Sequence, residues 1–366
     1  MLPHSPLTRR WASGRPLHLE LGGTLDSYTL GYRTWGRLSP TADNAVFVCH
    51  ALTGSADADE WWSPLFGPGK ALDPARDFII CSNVLGGCNG STGATSSDPQ
   101  GRRYGHRFPA LTIRDQVRAK MNLADALGVR SVSMVVGGSM GGLHALEWAL
   151  LDPKRVRSLA VIAASARHSA WCRAWSETQR MALRSDPAFL DGKYAPEAPP
   201  TTGLGVARAI AMTTYRCPKV FEHRHGAAGS DGNNDVGARD SQSVHAWLRH
   251  HAERFAGRFD ANTYLTLIDA MDRHDIGRHR GGIAEALRRV GQPALVVSIQ
   301  SDGLYVPSEQ REICKYLPHA EYVEIASDHG HDGFLIDAAM LEPHLSRFHE
   351  GQRRPTESAV AEGSLA

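Results

Sequence analysis

Apolar positions along the chain fall into two rhythms. The runs "NAVFVCH" (44–50), "DFIICSNV" (77–84) and "SVSMVV" (131–136) are compact and largely apolar, the pattern of strands buried in a sheet. "RSLAVIAAS" (157–165), "PALVVSIQ" (293–300) and "AEYVEIAS" (320–327) predict further strands. Between them, Ile113, Val117, Met121, Ala124 and Leu127 recur at three- and four-residue steps and predict an amphipathic helix. The stretch 140–151 predicts a second helix, closed by Asp152-Pro153, and "SEQREICKYL" (308–317) a third. Strands alternating with helices imply a parallel sheet covered on both faces. Ahead of this pattern, "LHLELGG" and "SYTLGYRTWG" predict an opening antiparallel pair.

From 166 to 289 the rhythm is mainly helical, interrupted by polar loops such as "HGAAGSDGNNDVGARDSQ". The strand–helix alternation then returns. The expected organisation is an α/β core made of 1–165 and 290–350, with a helical insertion at 166–289. The tail 351–366 lacks periodicity and is expected to be disordered.

Composition narrows the picture only by exclusion. The 366 residues carry 40 Lys+Arg against 39 Asp+Glu, a net charge of +1, so no charge excess points to nucleic acid or a membrane surface. No apolar run approaches the ~18 residues that span a bilayer. The N-terminus shows no apolar secretory core, so a cytoplasmic protein is expected. Six cysteines, widely spaced and without a CxxC pair, read as buried free thiols, not as a disulfide framework or a metal site.

Candidate chemistry centres on "VVGGSMGG". Gly137-Gly138-Ser139-Met140-Gly141 is a G-x-S-x-G element between a predicted strand and a predicted helix. That context suits a nucleophile held on a tight turn, near the outward-pointing N–H groups of a helix start. A plain glycine turn is the structural alternative. A serine nucleophile needs a base, and the base needs an acid to orient it, arriving in the chain order Ser…Asp…His. Asp302 follows a predicted strand, and His331, with His329 as its rival, follows the last one. The long gap between Ser139 and Asp302 agrees with an inserted segment. Oxyanion donors are expected at the Met140 N–H and in "HALTG" (50–54), with Leu52 as the residue. "NVLGGCNGSTG" lacks the Walker lysine and the G-x-G-x-x-G spacing, and reads as a loop shaping the pocket. His223, His225, His245, His250 and His251 lack zinc-site spacing and read as solvated.

These motifs in order, "HALTG", "SNVLGGCNGSTG", "RFPALTIRDQV", "GGSMGGLHALEW", "RFDANTY", "HDIGRHRGG" and "GHDGFL", resemble the homoserine O-acetyltransferase family, from about 17 to about 345. "DEWWSPLFGPGKALD" is most similar to the actinobacterial branch. The resemblance implies an α/β-hydrolase fold with a helical lid, and transfer of an acetyl group from acetyl-CoA, a co-substrate, to L-homoserine. It also implies a place in methionine biosynthesis, no permanently bound cofactor or metal, and a homodimer. It puts the triad on Ser139, Asp302 and His331. It puts the acceptor's carboxylate at Arg208, with Tyr215 nearby, and its amino group at Asp332. L-serine as acceptor, succinyl-CoA as donor, and a serine esterase or a catalytically silent binding module remain alternatives. Ser55 and Met212 depart from the residues usual in the family, which have Asp and His there, and Trp61-Trp62 are placed either at a tunnel mouth or in packing.

Overall fold

The computed structural model of the protein describes residues 5–226 and 243–353. The strands are β1 (Arg9–Ala12), β2 (Leu17–His18), β3 (Thr24–Leu25), β4 (Thr29–Trp35), β5 (Ala45–Cys49), β6 (Phe78–Ser82), β7 (Val132–Gly138), β8 (Leu159–Ile162), β9 (Ala294–Ile299) and β10 (Ala320–Ile325). The α-helices are α1 (Ala58–Trp61), α2 (Ile113–Ala126), α3 (Met140–Leu151), α4 (Ala170–Arg184), α5 (Thr201–Thr214), α6 (Pro218–His225), α7 (Val244–Ala256), α8 (Ala261–Asp272), α9 (Ile283–Arg288), α10 (Pro307–Tyr316), α11 (Gly333–Ile336) and α12 (Ala338–Gly351).

Eight strands form one sheet in the order β1-β4-β6-β5-β7-β8-β9-β10. It is parallel from β6 to β10, while β4 and β1 join antiparallel at one edge. Every residue of β5 and β9 is buried, because helices cover both faces and neither alternate set meets water. Phe47 and Val135 enter one core cluster, and Val46, Val48, Met134 and Val136 the other, so each strand feeds two cores by its pleat.

The opening pair differs from expectation. Residues 17–18 form a two-stranded hairpin with 24–25, and β4 pairs instead with Arg9–Ala12. That edge strand is mostly exposed and is held by backbone pairing, so its side chains carry no hydrophobic signal. A second difference is α12, which contains Pro343 and is anchored by buried Leu341, Leu345 and Phe348. It reaches Gly351, one residue into the expected tail. Residues 354–366 of that tail and 227–242 of the polar loop lie outside the described residues.

Helices α4 to α9 lie between β8 and β9 in the chain. The two ends of this excursion are tied together: His168 N–H donates to His274 O at 3.0 Å, and Ile276 N–H to Ala166 O at 2.9 Å. Charge anchors the returning end to the core. Glu147 of α3, 1% exposed, bridges Arg114 at 3.0 Å and Arg280 at 2.8 Å, and Glu20 bridges Arg114 at 2.7 Å and Arg278 at 2.9 Å. The "HDIGRHRGG" arginines therefore serve a buried ion-pair network. In "RFDANTY", Asp260 caps α8 by accepting Thr263 N–H at 2.8 Å, and Asn262 donates to Gly192 O at 2.8 Å.

Candidate active site

Ser139 sits between the end of β7 and the start of α3 with φ 57° and ψ −125°, a strained conformation for an L-residue. The bend is possible because its neighbours lack side chains. A Cβ on Gly141 would fall 2.0 Å from the Cys49 carbonyl oxygen, and one on Gly137 would fall 2.4 Å from the Gly141 carbonyl carbon. The bend is secured by Ser139 N–H donating to Ile162 O at 2.9 Å.

His331 arrives from the loop after β10. Its Nε2 lies 2.8 Å from Ser139 Oγ and its Nδ1 lies 2.7 Å from Asp302 Oδ2. Asp302, in the loop after β9, is itself fixed: its Oδ1 accepts the N–H groups of Leu304 at 2.8 Å and Tyr305 at 2.9 Å. All three side chains are buried. Burial pulls the His331 pKa down, but the charge of Asp302, its hydrogen bond and the charge of Asp332 together leave it raised above 6.5. The ring lies among Tyr305 at 5.3 Å, Phe334 at 5.5 Å and Tyr215 at 5.8 Å between centroids. His329 takes no part in this chain of contacts; its backbone N–H donates to Ser327 Oγ at 3.0 Å.

The turn after β5 lies beside this bend because Cys49 pairs with Gly137 across the parallel ladder. The N–H groups of Leu52 and Met140 have no acceptor among the described residues. The turn is braced by a residue that sequence reasoning did not single out. His50 Nδ1 lies 2.7 Å from Ala51 O, and its Nε2 accepts Val84 N–H at 3.1 Å. These partners fix one neutral tautomer, and burial lowers its pKa to about 3. The signal was present in "HALTG", where a histidine ends a strand. The "NVLGGCNGSTG" loop bonds to itself and to its neighbours: Asn83 Nδ2 donates to Asn89 O at 2.5 Å, and Asn89 Nδ2 to Gly54 O at 3.2 Å.

The insertion after β8 and the histidine loop supply the remaining charges. Arg208 of α5 lies over the rings of Phe255 at 5.0 Å and Tyr215 at 5.5 Å, and its Nη1 is buried without a hydrogen-bond partner among the described residues. Asp332 lies beside His331 and pairs with Arg216 at 3.2 Å, a partner the sequence did not suggest. Burial raises the Asp332 pKa against the pull of Arg216, His331 and Arg208. Tyr215 is likewise pushed up by burial.

The two family departures are accommodated locally. Ser55 donates to Asp57 Oδ2 at 2.7 Å, within a cluster that Arg33 closes at 2.9 Å from Asp57, and Met212 is buried. Trp62 packs behind the histidine loop, donating to Phe334 O at 3.0 Å, while Trp61 donates to Ser55 O at 3.0 Å. Among the described residues no group of three or more His, Cys, Asp or Glu side chains is placed to hold a metal ion. No helix among them is long and apolar enough to cross a membrane.

A hydroxyl, an imidazole and a carboxylate in hydrogen-bonded series can act as the relay of a nucleophilic serine. The comparisons agree with that architecture. The α/β-hydrolase-fold family model matches residues 44–338. Homoserine O-acetyltransferase of Trichormus variabilis is 49% identical over 346 residues, covering 94% of this chain and 94% of that protein. That of Chloroherpeton thalassium is 47% identical, covering 91% of this chain and 86% of the relative. Such close identities assign a family and not a branch of it. The solved acetyl esterase MekB is 30% identical with a TM-score of 0.84, covering 95% of this chain and 97% of that one. Shared fold, near-complete coverage and identity approaching one half place this chain in the homoserine O-acetyltransferase family of α/β-hydrolase-fold enzymes.

Proposed function

We propose that the protein transfers an acetyl group from acetyl-CoA to the side-chain hydroxyl of L-homoserine through an acyl-Ser139 intermediate. The observation that carries this reading is the continuous series Asp302–His331–Ser139, at 2.7 and 2.8 Å.

His331 takes the Ser139 proton as the oxygen attacks the thioester carbon. The Leu52 and Met140 N–H groups hold the oxyanion. CoA leaves as the thiol, taking the proton from His331, and the acetyl-enzyme remains. Homoserine then enters, its carboxylate on Arg208 beside Tyr215 and its ammonium on Asp332. His331 takes the proton from its hydroxyl, the new ester forms, and the proton returns to Ser139.

Transfer must outrun hydrolysis. Effective molarities of about 10⁵–10⁸ M for a well-placed hydroxyl give homoserine its advantage over water. We read the helices between 166 and 289 as a lid that excludes water, a reading supported by the packing of Tyr215 against the His331 ring. We expect a homodimer, as the family resemblance implies, with the groove of about 540 Å³ between α5 and α7 as its candidate seam. The six unpaired cysteines suit a reducing compartment such as the cytoplasm. A place in methionine biosynthesis follows from the product, O-acetyl-L-homoserine.

The likeness to an acetyl esterase favours one second reading, hydrolysis by the same triad. A steady-state panel decides between them: acetyl-CoA and succinyl-CoA against L-homoserine, L-serine and no acceptor, following free CoA. Release that rises with homoserine and gives the O-acetyl ester supports transfer. Release indifferent to any acceptor overturns it.

A further inference from the structure

Arg216 meets Asp332 across the seam between the helical insertion and the histidine loop, Nη2 to Oδ2 at 3.2 Å. Both side chains are largely withdrawn from water, 11% and 17% exposed. The backbone places them. Asp332 N–H donates to Tyr215 O at 3.0 Å. Gly330, at φ +65°, presses so close to the turn after α5 that a Cβ there would fall 2.7 Å from the Arg216 carbonyl carbon. Cys217 Sγ donates to Asp328 O at 2.7 Å on the flank.

The pairing is one-sided. Nε and Nη1 of Arg216 are buried without hydrogen-bond partners among the described residues. Guanidinium–carboxylate pairs are frequently bidentate. This one leaves two donors unmet, and its closest approach to Asp332 is from Nη2 to Oδ2. The other oxygen, Oδ1, accepts no hydrogen bond from the described residues.

Only a charged carboxylate attracts an ammonium group. The surroundings of Asp332 are divided on that charge. Burial opposes it, as does Asp302 from the loop after β9. Arg216 is the foremost group favouring it, followed by His331 beside it in the chain and Arg208 of α5. Tyr215 faces Asp332 as a neutral phenol.

We propose that Arg216 is a positioning residue for the acceptor: it keeps Asp332 charged and aimed, and thereby sets the affinity for the acceptor's ammonium group. The proposal rests on the acyl-transfer reading above. Arg216 acts through Asp332 and does not touch the reacting atoms.

The test compares wild type, R216Q and R216K for homoserine KM between about pH 6 and about pH 9, beside the burst of CoA release without acceptor. R216Q should raise homoserine KM about tenfold or more near pH 7. The rise should shrink as pH increases, because alkali restores the Asp332 charge that Arg216 no longer supports. The burst should change far less than KM. R216K, which keeps the positive charge, should recover most of the affinity. An unchanged KM, a KM raised equally at every pH, or a burst lost in proportion to KM would overturn the proposal. If R216Q does not fold, R216K decides alone: a KM within about threefold of wild type and flat with pH supports it, and a pH-independent rise of about tenfold refutes it. Failure of the acyl-transfer reading looks different, since wild type itself would then show no homoserine-dependent CoA release.

Discussion

Replacing Asp302 by asparagine tests the relay at its most constrained point. One carboxylate oxygen is held by the N–H groups of Leu304 and Tyr305, at 2.8 and 2.9 Å, and the other faces His331 Nδ1 at 2.7 Å. In D302N the amide oxygen must stay with the two N–H donors. Turning the amide over would set its NH₂ against both and leave them unsatisfied, at about 1–3 kcal/mol for each buried group. The NH₂ therefore points at Nδ1, which must become an acceptor, and the ring proton moves to Nε2. That nitrogen stands 2.8 Å from Ser139 Oγ, so it now donates where the reaction needs it to accept. The fold should survive, because the substitution is isosteric. The acylation rate should fall about 10⁴-fold, equivalent to about 5.5 kcal/mol of barrier. The assay is single-turnover CoA release after mixing with acetyl-CoA, with thermal unfolding as the control for integrity. If D302N keeps a rate within about tenfold of wild type while fully folded, Asp302 does not orient the base and the assignment fails.

Three further outcomes follow from the same physics. His331 acts as a base only when neutral and its pKa is raised above 6.5, so kcat/KM should rise with pH through a value above 6.5; an acid limb below that value contradicts the ion pair with Asp302. His50, His168 and His274 are held neutral by burial at about 3 against an ordinary 6.5, so between those values the unfolded state binds more protons. Each should withdraw about 1.4 kcal/mol of stability per pH unit as pH falls below 6.5, and urea unfolding midpoints that stay level between about pH 7 and about pH 5 would refute it. E147A leaves Arg280 buried without its carboxylate and should cost about 3–5 kcal/mol, read by chemical denaturation; a loss under about 1 kcal/mol would show that the network does not hold the insertion to the core.

Local rules made much of this protein legible from its sequence. A buried parallel strand must be apolar throughout, so β5, β6, β7 and β9 stood out within a residue or two. A bend with a side chain at φ 57° needs glycine beside it, so Ser139 was marked by its glycine neighbours together with the strand before it and the helix after it. The chain order of serine, aspartate and histidine follows from strands that each end at the same rim of the sheet. What stayed hidden depends on residues meeting from far apart. Arg9–Ala12 forms a strand only because β4 offers it backbone partners, and α12 tolerates Pro343 because the core takes up its apolar face. His331 prevails over His329 because Gly330, at φ +65°, turns the loop against the insertion and brings the later ring to Ser139. Arg216 reaches Asp332 by the same close approach. Periodicity and steric need are written in short stretches and survive in one dimension. The pairing of charges is a property of distance in three, and only the packing of the helical insertion onto the sheet decided it.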